Sequence, residues 1–361
     1  MVKKFVYGTP FETEAVVKEI PSSEGNPDYG TFSTENGFSF TTKLADEDMV
    51  FGLGETNRGI NKRGFLYISD CADDPNHVES KTSLYAAHNF IIISGKTHVG
   101  FFFDYPGTLR FDIGYTTSDT MTVSCENADL YVYMITGDSD LDIVKQFRGI
   151  IGRSYIAPKF AFGYGQSRWG YKTEDDFRTV VKKYRENHVP LDMVYMDIDY
   201  MQDYKDFTVN EERFPDFEGF VQDMKKEKIH LVPIIDAGVK VEEGYDIYEE
   251  GCEKGYFCRR EDGSYFEATV WPGWTHFPDV LNADARKWFG DKYDVLVSKG
   301  IDAFWNDMNE PSIFYSQEGL ADFKETAKKY VEGDPEVPHY MVGGKLQALA
   351  NNHEDYKRFY H

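Results

Sequence analysis

Short apolar runs separated by turn-forming residues fill the first 145 positions of the chain. Five of these runs are rich in β-branched and aromatic side chains and are bounded by Gly, Pro, Asp or Asn, which is typical of short strands. They cover residues 89–94, 97–104, 109–114, 121–125 and 129–135. Their spacing favours two antiparallel sheets that each bury one face. We therefore predict an N-terminal all-β domain, a β-sandwich over residues 1–145, with its aromatic side chains in the core.

After a predicted helix at 139–149, the pattern changes to apolar strands that alternate with amphipathic helices. Helical spacing covers residues 173–188 and 217–228, and Thr173 with Asp176 three positions later forms a capping arrangement. The predicted strands are residues 160–167, 192–200, 229–238 and 301–310. Repeated strand and helix units of this kind predict an α/β domain with a parallel sheet.

The interval between the third and fourth predicted strands is much longer than the others, so it must hold an insertion. Residues 256–271 predict a hairpin that turns at Asp262 and Gly263, followed by a tryptophan-rich loop at 271–274. We assign residues 146–238 to the first part of the α/β domain, 239–282 to the insertion and 283–361 to the continuation.

The number of strand units limits the architecture. A (β/α)8 TIM-type barrel takes about 250 residues, whereas only four strand units fit between residue 160 and the last residue, His361. The sequence therefore predicts about the first four strand units of such a barrel. An open doubly wound sheet is the competing architecture, but no glycine-rich nucleotide fingerprint follows the first strand.

Composition and charge exclude several classes of function. The 361 residues are 41% hydrophobic and carry a formal net charge of −23, which argues against nucleic acid as a partner. The N-terminus has no long apolar run and no other run is long enough to cross a membrane, so we expect a cytoplasmic protein. The four cysteines lack metal-binding spacing. We interpret them as buried thiols, with a single disulfide as the alternative.

Acidic, aromatic and other polar side chains accumulate at the carboxyl ends of the predicted strands, where barrel enzymes carry their chemistry. They are Gln166, Arg168, Trp169, Asp197, Asp199, Asp236, Trp305, Asp307 and Glu310. Carboxylates that accept hydrogen bonds from hydroxyls, interleaved with indole rings that stack on sugar faces, favour a carbohydrate site with Asp307 as the leading catalytic candidate. A metal-dependent enzyme that uses the same acids is the alternative.

Four ordered motifs resemble those of the family-31 glycoside hydrolases. They are Trp305-Asn-Asp-Met-Asn-Glu310, Phe162-Gly-Tyr-Gly-Gln-Ser-Arg-Trp-Gly-Tyr171, Met196-Asp-Ile-Asp-Tyr-Met201 and Val270-Trp-Pro-Gly273. The first resembles the nucleophile signature of that family. The family also places a β-sandwich before its barrel and a small insertion after the third barrel strand.

The resemblance implies a retaining, exo-acting α-glucosidase that acts on α-linked oligosaccharides without a cofactor or metal. It makes Asp307 the nucleophile and Asp197 the carboxylate that binds hydroxyls of the terminal glucose. Trp169 matches a position that tends to hold Trp in isomaltose-preferring members, which implies α-1,6 linkages, unless Trp169 only packs under its loop. The other substrate-binding residues that the resemblance implies are Ile198, Ile234, Asp236, Trp271, Trp305, Met308 and, from an N-terminal loop, Asp73.

The later strands of the family, which carry the acid/base Asp and a sugar-binding Arg and His, have no counterpart before His361. We therefore expect this sequence to be the N-terminal portion of a longer enzyme, with its acid/base residue outside the chain. A noncatalytic sugar-binding fragment stays open as a third class. The oligomeric state, with a homo-oligomer as one option, and the physiological substrate are not fixed by the sequence.

Overall fold

The computed structural model describes residues 1–70, 77–309 and 312–332. The chain forms two compact units, Met1–Tyr155 and Ile156–His361.

The first unit is built from ten strands in two antiparallel sheets. The strands are β1 (Val2–Tyr7), β2 (Thr31–Ser33), β3 (Phe38–Lys43), β4 (Met49–Gly52), β5 (Phe65–Ser69), β6 (Phe90–Ser94), β7 (His98–Asp104), β8 (Leu109–Ile113), β9 (Thr120–Cys125) and β10 (Leu130–Gly137). One sheet has the order β1-β10-β7-β6-β4 and the other has the order β2-β3-β9-β8-β5. The five strands predicted from the hydrophobic pattern correspond to β6–β10, and β1–β5 are additional.

Phenylalanine rings on facing strands form the core between the two sheets. Phe40 of β3 and Phe101 of β7 lie 4.7 Å apart between ring centroids, and Phe38 and Phe103 lie 6.2 Å apart. All four side chains are almost fully buried. Because side chains alternate across a strand, these rings all point into the space between the sheets, which confirms the predicted sandwich.

Helix α1 (Asp140–Ile151) covers the outer face of the first sheet. Ser139 caps its N-terminus by accepting a hydrogen bond from the Asp142 N–H. A Cβ placed on Gly100 of β7 would lie 2.5 Å from Cγ2 of Ile143, a buried residue of α1. The absence of a side chain at Gly100 therefore lets the helix approach the sheet closely.

The second unit contains a four-stranded parallel sheet with the order β11-β12-β13-β17. Its strands are β11 (Gly165–Gln166), β12 (Met193–Met196), β13 (His230–Asp236) and β17 (Trp305–Asp307), and the helices of the unit are α2 (Glu174–Glu186), α3 (Phe217–Lys226), α4 (Asp246–Lys254), α5 (Ala283–Lys292), α6 (Asp294–Val297) and α7 (Gln317–Glu332). The order is that of consecutive strands of a barrel, and it confirms the predicted fold class.

The first, second and fourth parallel strands are shorter than predicted. The predicted second strand, 192–200, ends at Met196, and Ile198–Tyr200 form a 3-10 turn. Residues Lys159–Phe162 form a 3-10 turn instead of a strand, and the ring of Phe160 stacks on His230 at 3.5 Å between centroids. Before β17, Ile301 is buried in the core although it belongs to no strand. These apolar residues are used for packing rather than for strand pairing.

A second, small sheet in this unit joins the insertion to the segment after β17. It contains β14 (Val239–Lys240), β15 (Ala268–Val270), β16 (Gly273–His276) and β18 (Tyr315–Ser316) in the order β14-β16-β15-β18. The predicted turn at Asp262 and Gly263 closes only one isolated bridge, between Arg259 and Tyr265. The main hairpin of the insertion is β15–β16, and residues 271–272 form its turn. Residues predicted as a loop after the hairpin are therefore part of it.

Candidate active site

Three aspartates reach the same edge of the parallel sheet. Asp236 and Asp307 are the last residues of β13 and β17 and are directly paired in the strand register. Asp197 follows β12, whose last residue Met196 pairs with Pro233 of β13. Since parallel strands end at a common edge, the fold brings together these three side chains, which the sequence predicted as separate strand ends.

The carboxylates of this cluster interact electrostatically. Burial, followed by the negative charges of Asp307 and Asp197, raises the pKa of Asp236 to about 7. Asp236 is 1% exposed, and neither of its carboxylate oxygens has a hydrogen-bond partner. Burial also raises the pKa of Asp197, helped by the charges of Asp199 and Asp307. The site therefore concentrates negative charge around a poorly solvated acid.

A 3-10 turn, Ile198–Tyr200, fixes the backbone next to Asp197. The Asp197 Oδ1 accepts a hydrogen bond from the Ile198 N–H at 2.8 Å, and the Tyr200 hydroxyl donates to the Ile234 carbonyl oxygen at 2.9 Å. The turn is thus tied to both strands that border the cluster. Asp197 itself is half-buried, which leaves part of its carboxylate accessible.

Asp199, which the sequence analysis placed with the strand-end acids, has a different environment. It is 1% exposed, and its carboxylate oxygens lie 3.4 Å from Nη1 of Arg213 and 3.6 Å from Nζ of Lys172. Nearby cations compensate a buried carboxylate, so Asp199 has the surroundings of a structural ion pair rather than those of the cluster.

Asp206 is a buried acid that the sequence analysis missed. It is 1% exposed, and its Oδ1 accepts the backbone N–H of Asp236 at 3.0 Å. Burial, followed by the charge of Asp236, raises its pKa well above the ordinary value. No apolar pattern marks this position, because it lies in the loop that follows the 3-10 turn. A buried acid in a loop becomes visible only when the fold is known.

Apolar side chains surround the aspartates. Trp305 pairs with Ile234 in the register of β17 and β13, and its indole contacts the ring of Tyr195 edge to face at 6.1 Å. Trp305 is half-buried, whereas Ile198 and Ile234 are 3% and 2% exposed. The two isoleucines therefore belong to the apolar core of the second unit.

Met308 turns the chain away from the sheet directly after Asp307. Its φ of +60° is in the left-handed region, which ends the extended conformation of β17. Its half-buried side chain packs on an apolar cluster that contains five residues of the insertion and one residue after β17: Cys258, Phe266, Ala268, Val270, Phe277 and Ile313. The Phe314 N–H then donates to the Thr269 carbonyl oxygen at 2.9 Å. The insertion therefore holds the segment that follows Asp307.

The other predicted tryptophans are exposed. Trp169, after β11, is 64% exposed, so it does not pack under its loop. Trp271 is 46% exposed at the turn of the β15–β16 hairpin, where its ring meets that of Phe314 edge to face at 5.0 Å. Both indole rings are available to a ligand. Asp73 and Glu310 lie outside the described residues.

Further side chains bear on the sequence predictions. Cys258 is a buried thiol, as predicted, and burial raises its pKa to about 12, whereas Cys125 and Cys252 are only half-buried. Cys71 falls outside the described ranges. Across residues 1–70, 77–309 and 312–332, no three His, Cys, Asp or Glu side chains are grouped so that they could hold a metal ion. In the same part of the chain, no helix has the length and apolar character needed to cross a bilayer.

Two family models match the chain. The model described as "Glycosyl hydrolases family 31 TIM-barrel domain" matches residues 154–360, and the model described as "Glycosyl hydrolase 31 N-terminal galactose mutarotase-like domain" matches residues 11–112. The first match covers more than half of the chain. The two matches fall in the second and first compact units, respectively.

Similar proteins and structures are named as glucosidases or as a related enzyme. Alpha-glucosidase 2 of Bacillus thermoamyloliquefaciens is 38% identical over 75% of this chain and 35% of its own length, and an alpha-glucosidase of Saccharolobus solfataricus is 26% identical over 96% of the chain and 51% of its own length. The chain thus spans about a third to half of these relatives. A glucosidase II alpha subunit has a TM-score of 0.68 and 26% identity, and it aligns over 77% of this chain and 33% of its own. A Flavobacterium johnsoniae dextranase has a TM-score of 0.72 and 21% identity, with coverage of 90% and 40%, and therefore shows the fold alone.

Proposed function

The chain belongs to glycosyl hydrolase family 31, and from that premise we propose that it carries the nucleophile of a retaining, exo-acting α-glucosidase. Asp307 is the nucleophile in this proposal. The substrate is the terminal, non-reducing α-linked glucose of malto-oligosaccharides or isomalto-oligosaccharides. The observation that carries the proposal is the placement of Asp307 at a strand end, in register with Asp236 and near enough to Asp197 for their charges to interact.

The first chemical step needs a carboxylate that can reach the anomeric carbon of the sugar. Asp307 is only partly buried, whereas Asp236 beside it is enclosed, so Asp307 is the member of this pair that a sugar can approach. Its oxygen forms an ester bond to the anomeric carbon while the bond to the leaving oxygen breaks. Water then cleaves the ester with net retention of configuration.

A retaining glycosidase also needs an acid that protonates the leaving oxygen, about 5 Å from the nucleophile. Asp197 and Asp236 are not assigned that role. Half-buried Asp197 accepts hydrogen bonds from hydroxyls of the terminal glucose, whereas Asp236 is enclosed and inaccessible to the sugar. We assign the acid/base role to none of the described residues. The first half-reaction, in which the glycosyl ester forms on Asp307, is therefore the step that tests the proposal.

A fluoride leaving group separates the nucleophile from the acid, because fluoride departs with its electron pair and needs little help from a proton donor. We therefore expect 5-fluoro-α-glucosyl fluoride to label the chain, with one glycosyl unit attached to the peptide that contains Asp307. Mass spectrometry of the peptides locates the label. Asp307→Asn should abolish labelling, whereas the matched surface variant Asp291→Asn should retain it.

Labelling at another residue, or unchanged labelling of Asp307→Asn, would overturn the assignment. Reversible binding of glucose without any labelling would instead favour the noncatalytic sugar-binding alternative. No observation on the described residues favours the metal-dependent alternative.

An α-1,6 preference is the finer part of the proposal and depends on Trp169. The exposure of its indole supports contact with the sugar unit beyond the cleaved bond, since a stacked ring must be accessible. We expect Trp169→Tyr to lower the affinity of the chain for isomaltose relative to maltose, as measured by calorimetry. An unchanged ratio of the two affinities would refute this role.

A further inference from the structure

The loop that follows the 3-10 turn Ile198–Tyr200 carries Asp206 beneath the end of β13. Three non-glycine residues of this loop have left-handed backbone conformations: Asp203 at φ +53°, Tyr204 at +58° and Phe207 at +61°. Each such conformation costs of order 1 kcal/mol or more and persists only where the surrounding structure enforces it. The chain therefore accepts local strain on both sides of Asp206 in order to bury this side chain.

The contacts of Asp206 are directed at the backbone of the candidate site. Its Oδ1 accepts the Asp236 N–H at 3.0 Å, and its carbonyl oxygen accepts the Tyr245 hydroxyl at 2.8 Å. Its Oδ2 is buried without a hydrogen-bond partner, as are both carboxylate oxygens of Asp236. Asp206 is thus bonded to the strand end next to Asp307, and it does not lie at the surface where it could contact a sugar.

The groups around Asp206 and Asp236 provide no positive charge. Within the described residues neither acid forms an ion pair, and Lys205, the neighbour of Asp206 in sequence, is paired to Glu242 at 2.6 Å. Five titratable groups interact electrostatically with Asp206 or Asp236: Asp197, Tyr200, Tyr245, Tyr293 and Asp307. All of them are acidic or neutral. A buried carboxyl group in such surroundings keeps its proton.

Burial, followed by the charge of Asp236, raises the pKa of Asp206, and the hydrogen bond from the Asp236 N–H lowers it by less, so the net direction is well upward. The surroundings of Asp206 therefore favour its neutral form. The side-chain Oδ1 of neutral Asp206 can still accept the Asp236 N–H, because a protonated carboxylic acid keeps acceptor capacity.

We propose that Asp206 is a positioning residue that acts as a neutral carboxylic acid: it holds the backbone N–H of Asp236 and so sets the end of β13 beside Asp307. The proposal rests on the proposed function of Asp307 as a nucleophile. Asp236 and Asp307 are paired in register, so a shift of Asp236 moves the strand end against which Asp307 is aligned.

Two substitutions at this position separate the hydrogen bond from the charge. Asp206→Asn keeps a neutral side chain with an oxygen that can accept the Asp236 N–H, whereas Asp206→Ala removes the acceptor. The measured quantity is the second-order rate constant for labelling by 5-fluoro-α-glucosyl fluoride. We expect Asp206→Ala to lower it on the order of 10²-fold, as a misplaced reacting group does. Asp206→Asn should lower it by less than about tenfold, since the amide oxygen replaces the carboxyl oxygen.

A spectroscopic measurement tests the retained proton without any sugar chemistry. Infrared spectra of chain labelled with 13C-aspartate, recorded at pH 8, should contain the carbonyl stretch of a protonated carboxylic acid. This pH lies above the pKa of about 7 of Asp236. The band should persist in Asp236→Asn and disappear in Asp206→Asn. Tryptophan fluorescence and near-ultraviolet circular dichroism check that each variant is folded.

The labelling and infrared measurements distinguish a failure of the proposed function from a failure of the inference about Asp206. Absence of labelling in the wild-type chain would contradict the proposed function, and the infrared band would still decide whether Asp206 holds a proton. A wild-type spectrum without the band, or a band that survives in Asp206→Asn, would overturn the inference. Equal losses in the labelling rate of Asp206→Asn and Asp206→Ala would also overturn the inference, because the effect would then depend on the charge of Asp206 and not on its hydrogen bond.

Discussion

Asp236 should make the second unit less stable as the pH rises, and Asp236→Asn should remove this dependence. The carboxyl group is 1% exposed, and burial followed by the charges of Asp307 and Asp197 raises its pKa from 3.8 to about 7. The folded state therefore binds the proton more tightly than the unfolded state does. Below pH 3.8 both states are protonated and the group has no effect, whereas between pH 3.8 and 7 the stability falls as the pH rises.

The size of the effect follows from the two pKa values. Each pKa unit corresponds to about 1.4 kcal/mol, so the full loss above pH 7 is about 4 kcal/mol. At pH 5 the loss is about 1.7 kcal/mol, because the unfolded carboxyl group is ionised there while the folded one is not. The advantage of Asp236→Asn over wild type should therefore be about 2.5 kcal/mol larger at pH 8 than at pH 5. Comparing the same variant at two pH values cancels the cost of the unpartnered Asn amide.

The tryptophans make the assay specific for this unit. All five, Trp169, Trp271, Trp274, Trp288 and Trp305, lie in residues 156–361, so urea unfolding followed by tryptophan fluorescence reports on the second unit alone. Asp291→Asn, which changes an acid on the exposed side of α5, is the matched control and should show no such difference between the two pH values. An advantage of Asp236→Asn that is equal at pH 5 and pH 8, or larger at pH 5, would refute the raised pKa.

Two further outcomes follow from single contacts, and a third follows from the chemistry of carboxylate attack. Gly100→Ala should destabilise the first unit by about 1–3 kcal/mol, because the new Cβ would lie 2.5 Å from buried Ile143 Cγ2; circular dichroism measures this, and a neutral result would mean that α1 moves away without cost. Thr173→Ala should cost about 1 kcal/mol of second-unit stability, since it removes the capping box of α2, and Thr173→Ser, which keeps the hydroxyl, should recover most of it in the same urea assay. Labelling of Asp307 by the fluoride should be unaffected by EDTA, because carboxylate attack requires no metal; a loss of labelling that added Mg²⁺ restores would support the metal-dependent class instead.

The sequence correctly predicted those elements in which the spacing of apolar residues along the chain matches the spacing of the buried positions. Strands β6–β10 and helices α2 and α3 were found in this way, and the capping box at Thr173 marked the start of α2. Strand β2 has only three residues, too few for alternation to be visible. Strand β3 alternates Phe38, Ser39 and Phe40 and could have been recognised. The strands that were predicted too long show the opposite error, because apolar residues such as Ile301 indicate burial but not strand pairing.

The candidate site was predictable to the extent that it consists of strand ends. Asp197, Asp236 and Asp307 each follow or end an apolar strand, and parallel pairing places them at one edge. What the sequence could not supply was the difference between these acids: the enclosure of Asp236, the cations beside Asp199 and the contact of Asp206 with the backbone of β13. Those differences depend on neighbours that are distant in sequence. A cytoplasmic location likewise stays a prediction.

Asp206 and Asp236 are buried at a cost in stability, and this cost indicates that the edge of the sheet is under functional selection. A side chain of similar shape without a carboxyl group would remove a loss of about 4 kcal/mol at Asp236, and the strained loop around Asp206 adds to the cost. Stability alone would not retain two buried acids without an ion-pair partner near the end of one strand, since total stability of a domain is only about 5–15 kcal/mol. Perturbed carboxyl groups of this kind cluster where chemistry requires them. Asp206 and Asp236 therefore support an active site on physical grounds that are independent of the sequence motifs.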